Sequence, residues 1–93
     1  MGDLDKDKWY KWETVKNLIL GKYSFGQFYQ ENLKTSYGYL GDCNSYFFKK
    51  SKNDNKALCY FNVYIDNGIE YITLYNLKRQ IYYLDMSLEE FEN

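Results

Sequence analysis

The chain has no histidine and no proline, one arginine (Arg79), one alanine (Ala57) and two cysteines among its 93 residues. Without histidine the commonest general base is missing, and Ser-His-Asp and Cys-His catalysis are excluded. Cys43 and Cys59 are too few for a disulfide framework or a zinc site, so free thiols are expected. Cys59 falls on an expected core face, where burial makes a thiol inert, and Cys43 follows Asp42, whose carboxylate would not activate it. There is no glycine-rich phosphate loop. The acids Asp66, Glu70, Asp85, Glu89, Glu90 and Glu92 fall at expected turns, strand ends and the C-terminus, where solvated carboxylates belong. The expectation is a protein that is not an enzyme and holds neither cofactor nor metal.

Membrane signals are equally scarce. Residues 1–8 have no apolar core of a secretory signal, and Lys6 stands where a myristoylation pattern needs Ser or Thr. No apolar run reaches the length of a span. A cytoplasmic protein with no membrane partner is the reading. Scarce Ala and Arg beside abundant Lys, Asn, Tyr and Ile is the residue usage of AT-rich coding DNA. That composition points to a low-GC bacterium, or to a phage or plasmid within one.

What is present is aromatic. The chain is 45% hydrophobic and 27% charged, an ordinary globular mix, but 22% is aromatic, with 12 Tyr, 6 Phe and 2 Trp. A chain this short folds as one domain, 1–93, burying roughly 60–70% of its unfolded surface. Two helices and a few short strands have little interior, so some of the tyrosine must lie on a surface. The net charge is −1. Residues 1–56 hold ten lysines against seven acids, and residues 57–93 hold two bases against six acids. Steering of the whole molecule toward polyanions is not expected.

The patterning predicts an α+β fold: N-terminal helices packed on a three- to four-stranded antiparallel β-meander, with a short C-terminal helix. Trp9, Trp12, Val15 and Ile19 recur at helical spacing and predict a helix over 4–20, closed by Gly21. Ser24 with Gln27 resembles a capping box and opens a second helix over 25–34, with a stripe of Phe25, Phe28, Tyr29 and Leu33. Gly26 argues against that helix. Residues 35–44 read as a loop, Ser45 to Lys49 as a short strand, and Ser51 to Lys56 as a polar connection.

The sharpest local signal is Asn67-Gly68 between the runs Ala57–Ile65 and Ile69–Leu77, a type I′ hairpin. Residues whose numbers sum to 135 then face one another. Cys59, Phe61, Val63 and Ile65 share the core face with Ile72 and Leu74. Tyr60 and Tyr64 lie on the other face, opposite Tyr75 and Tyr71, with Asn62 opposite Thr73. Residues 80–85 read as a further strand after a turn at Lys78-Arg79, and Ser87 with Glu90 as the cap of the terminal helix.

The candidate binding residues are the panel Tyr60, Tyr64, Tyr71 and Tyr75, with Lys49, Lys50 and Lys52 from the lysine cluster before the hairpin, which also includes Lys56. Tyrosine suits a protein interface because it offers large area, a hydroxyl and little rotamer entropy to lose. The main reading is therefore a non-enzymatic module that binds a host or cognate protein. A phage or mobile-element accessory protein acting as a stoichiometric inhibitor of a host defence protein would be one form of it. The alternative is a single-stranded nucleic-acid-binding module that stacks bases on the tyrosines beside the lysine loop. A small enzyme of unknown type is third. An unpaired edge strand would also let two copies pair as a homodimer.

Overall fold

The computed structural model describes residues 9–33, 43–51 and 53–92. Its centre is a five-stranded antiparallel sheet: β1 (Trp9–Lys11), β2 (Gln27–Leu33), β3 (Cys43–Lys49), β4 (Cys59–Asp66) and β5 (Ile69–Thr73), in the order β1-β5-β4-β3-β2. The last four form a meander. β1 returns to the far side of β5, so helix α1 (Trp12–Lys22) crosses the sheet from one edge to the other. Helix α2 (Leu74–Ile81) follows β5 directly, and two 3-10 turns, Tyr82–Leu84 and Leu88–Phe91, end the chain.

The hairpin forms in the expected register, with Tyr64 opposite Tyr71, Ile65 opposite Glu70 and Asp66 opposite Ile69. Asn67 (φ 53°) and Gly68 (φ 79°) take the positive φ values that a type I′ turn requires. The core face is as expected at Cys59, Phe61, Val63 and Ile72, all buried, whereas Ile65, near the turn, is exposed.

The sheet has five strands rather than the expected three or four, and several further expectations need correction. The helix expected over 4–20 begins at Trp12, its first residues lie outside the described part, and Gly21 does not stop it before Lys22. Trp9 to Lys11 instead pair with Thr73 to Tyr71 as a short edge strand. The second helix, over 25–34, does not form. Gln27–Leu33 is a strand beside β3, because alternation lets Phe28 enter the core against Phe48 and Trp12 while Phe25 stays 87% exposed. Residues 35–42 of the expected loop lie outside the described part, and Cys43 and Asn44 already belong to β3.

The remaining corrections concern residues 74–84, which are helix α2 and a 3-10 turn rather than two strands joined by a turn. Thr73 ends β5 by capping the helix, its hydroxyl accepting from the Asn76 amide at 3.2 Å. Leu77 and Ile81, four apart, are buried, and Leu84 follows them into the core. The expected turn at Lys78-Arg79 lies inside α2. The terminal capping box is present, with Ser87 and Glu90 reciprocally bonded, and it starts the short Leu88–Phe91 turn.

The layers stack on one side of the sheet. Trp12, Val15 and Ile19 of α1 join Phe48, Phe61, Val63, Ile72, Leu77, Ile81, Leu84 and Phe91 in one core cluster. The C-terminal segment is tied to α1: Lys22 Nζ donates to the Asp85 carbonyl at 2.7 Å, and the Tyr23 hydroxyl to the Leu84 carbonyl at 2.6 Å. Toward the hairpin end of the same side, Glu70 accepts from Asn44 Nδ2 at 2.8 Å and from the Tyr46 hydroxyl, joining β5 to β3 across β4. No helix among the described residues is long and apolar enough to cross a membrane.

This core carries an alkaline signature. Burial pushes the Cys59 thiol up from 9.0 to about 12, and burial, followed by the Glu70 carboxylate, pushes the Tyr46 phenol upward. Both groups are held neutral by folding. Their contribution is therefore complete below the unfolded-state values and is lost as pH rises above them. Stability should fall from about pH 9, by up to about 1.4 kcal/mol per pH unit from Cys59 alone. Urea midpoints measured from pH 7 to 11 should show this slope, and Cys59→Ala, though less stable at pH 7, should flatten it. An equal slope in that variant would refute the assignment.

Candidate functional site: an open aromatic sheet face

Alternation along each strand sends the other set of side chains to the side away from α1. The register aligns Tyr29 of β2 with Phe47 of β3, and Phe47 with Tyr60 of β4, as a three-strand aromatic row. The Phe47 and Tyr60 ring centroids lie 5.9 Å apart. Toward the hairpin end, Trp9 meets Tyr64 and Tyr71 edge-on, at 6.1 and 6.4 Å. Tyr60 and Tyr64 are four residues apart on one strand, so the two groups stand about 13 Å apart. Between them lie Ser45 and Asn62, opposite each other on β3 and β4, with Ser45 Oγ donating to Asn62 Oδ1 at 2.7 Å.

The rings on this side are partly accessible, whereas Cys43, Ser45 and Thr73 on the same side are buried. Trp9 is 40%, Tyr29 39% and Tyr60 46% exposed, and Phe47, Tyr64 and Tyr71 are partly exposed. Lys49 Nζ sits 5.1 Å from the centre of the Tyr29 ring, and the Tyr29 hydroxyl donates to Gln27 Oε1 at 2.8 Å.

Of the expected panel, Tyr60, Tyr64 and Tyr71 share this face. Tyr75 does not pair with Tyr60 across a strand, because β5 has already ended. It reaches the same neighbourhood from α2, 59% exposed, with the Arg79 guanidinium 5.3 Å from its ring centre and donating to its hydroxyl at 3.1 Å. Helical spacing puts Tyr75 and Arg79 on the flank of α2 opposite buried Leu77 and Ile81.

Helix α2 also completes the sheet where β5 stops. Gln80 Oε1 accepts from the Tyr60 amide at 3.2 Å, and Asn76 Nδ2 donates to the Asn62 carbonyl at 3.4 Å. Side chains of the helix thus satisfy β4 backbone groups that a longer β5 would have paired.

The lysine cluster is not brought together as one unit. Lys49 belongs to the open face. Lys50 lies 5.2 Å from the Tyr23 ring centre on the covered side, Lys56 is exposed in the connection, and Lys52 lies outside the described residues. Trp9, Tyr29, Phe47 and Arg79 are the residues that sequence reasoning missed. Alternation of Ser45, Phe47 and Lys49 carries a signal for Phe47, while Trp9 and Tyr29 were hidden by helical readings of their segments.

No group of three potential metal ligands occurs among the described residues. The two thiols are buried, as expected for Cys59, while Cys43 lies in β3 rather than in a loop. Comparison with protein-family models, curated proteins and solved structures finds no match to this chain.

Proposed function

We propose that the protein is a binding module that occupies the surface of a partner protein through its open sheet face. The observation that carries this reading is the exposure of Trp9, Tyr29 and Tyr60 on the side that neither α1 nor the C-terminal segment covers. Aromatic residues standing on a rigid sheet lose little entropy on binding and provide both apolar area and hydroxyls. A stoichiometric inhibitor is one form of such a module, and the residue usage of the chain suits an accessory protein of a phage or mobile element. Neither an active-site constellation nor a cofactor is needed for it to act.

The test is affinity capture from the producing cell with three immobilised proteins: wild type, Tyr29→Ser/Tyr60→Ser, and Tyr82→Ser/Tyr83→Ser. Tyr82 and Tyr83 are exposed after α2 and serve as a control. A protein retained by the wild type and the control, and lost at least tenfold by the face variant, supports the reading. A partner retained equally by all three refutes it.

The cations over Tyr29 and Tyr75 favour a second reading, single-stranded nucleic acid stacked along the same rings. The net charge of −1 and the single arginine weigh against it, since phosphate affinity comes from several cations. A labelled oligothymidylate titrated at two salt concentrations separates the readings. Binding that tightens steeply at low salt and fails in Tyr29→Ser/Tyr60→Ser would favour nucleic acid.

A further inference from the structure

Beside the aromatic row, where α2 takes over from β5, Tyr60, Asn62, Asn76, Arg79 and Gln80 line a small polar cavity of about 40 Å³. The polar ends offered there are mostly donors. Asn62 commits its oxygen to Ser45 and Gln80 commits its oxygen to the Tyr60 amide, so each amide leaves its –NH2 end unused by these bonds. Asn76 turns its nitrogen to the Asn62 carbonyl and keeps an acceptor oxygen. Arg79 is held by Tyr75 through one nitrogen and the ring face, and no carboxylate pairs with it among the described residues. No acid is among the described residues that line the cavity.

A guanidinium held in place by an aromatic ring, next to two amide donors, matches a planar anion with two oxygens. We infer that this cavity takes the carboxylate of an Asp or Glu side chain from the partner protein, seated beside the Tyr29–Phe47–Tyr60 row. The inference rests on the binding-module reading and specifies the chemistry of its partner: an aromatic or aliphatic anchor with an acidic residue at a fixed distance. The acceptor of Asn76 then suits a backbone N–H of the same segment. A carboxylate is favoured over a phosphate chain because the cavity is small and a single guanidinium faces it, whereas a nucleic-acid backbone needs repeated cations.

The test is a random peptide-display library panned against the full chain, followed by affinities of the enriched peptides for wild type, Tyr60→Ser and Arg79→Gln. Enriched peptides should carry Asp or Glu at a recurring position. Changing that residue to Gln or Asn should weaken binding at least tenfold on wild type but less than threefold on Arg79→Gln, which reports the pair itself. Melting temperatures of both protein variants confirm that they fold. Peptides that need Tyr60 but show no acidic preference would overturn this inference and leave the binding face standing. Failure to enrich any peptide that depends on Tyr60 would count against both. An oligothymidylate that binds through Arg79, with no acid-dependent peptide, would replace both with the nucleic-acid reading.

Discussion

Trp12→Ala should remove about 3–5 kcal/mol, from a total of roughly 5–15 expected for a domain of this size, whereas Trp9→Ala should cost about 1 kcal/mol. The two residues are three positions apart and would share a stripe if residues 4–20 were one helix. They lie instead on either side of a strand-to-helix junction. Trp12 is 1% exposed and central, stacked on Tyr46 at 5.0 Å and 27°, tilted on Phe61 at 5.3 Å and edge-on to Phe28 at 5.2 Å. It joins α1 to three strands at once. Its indole N–H is buried and has no acceptor among the described residues, so its value is shape and area rather than hydrogen bonding. Trp9 is 40% exposed and touches the open face. Urea denaturation followed by far-UV circular dichroism measures both costs. Similar values for the two would contradict the junction, and tryptophan emission should be blue-shifted in Trp9→Ala and red-shifted in a folded variant lacking Trp12.

Gly26→Ala is the second large effect, and it comes from a single added methyl. A Cβ on Gly26 would lie 2.1 Å from Cζ and 2.4 Å from Cε1 of the Phe48 ring, and 3.2 Å from the Lys49 carbonyl oxygen. Phe48 has nowhere to go: it is 0% exposed and packed against Phe28, ring centroids 4.7 Å apart, and against Tyr23. Overpacking of this kind costs about 1–3 kcal/mol, and valine at the same position should exceed that. Because the conflict is with one ring, Gly26→Ala/Phe48→Leu should be more stable than the sum of the two single changes allows. Additive costs would mean that the methyl is accommodated elsewhere.

Gly26 also illustrates what the sequence makes legible. Its presence inside the expected helix over 25–34 was evidence against that helix, and the close approach of Phe48 is the reason a glycine stands there. Phe25, Phe28, Tyr29 and Leu33 fit a helical stripe, but short aromatic runs fit either period, and only the pairing of Gln27–Leu33 with β3 decides between them. Asn67-Gly68 was decisive because both turn positions demand positive φ, and that demand is local. The hairpin register and the side assignment of Cys59 to Tyr64 followed from it. The end of β5 was legible in principle. Thr73 three residues before Asn76, and Leu74, Leu77, Ile81 and Leu84 at spacings of three and four, mark a capped helix. The Ile69–Leu77 alternation overlapped that pattern and masked it. Tyr75 therefore joins the candidate face from a helix flank rather than from a strand, bringing Arg79 with it. The role of Asn76 and Gln80 in closing the β4 edge depends on their reaching the Asn62 carbonyl and the Tyr60 amide across the fold, which no local pattern encodes.

Binding through the rings opposite α1 requires that they be surface rather than core. The direct measurement is one variant, Trp9→Ser/Tyr60→Ser, which takes one ring from each aromatic group, examined for both folding and binding. It should unfold cooperatively in urea within about 1–2 kcal/mol of wild type, a cost typical of partly exposed positions, while losing at least tenfold in affinity for a partner captured by the wild type. A variant that no longer folds, or one that folds and binds as tightly as the wild type, would contradict the claim.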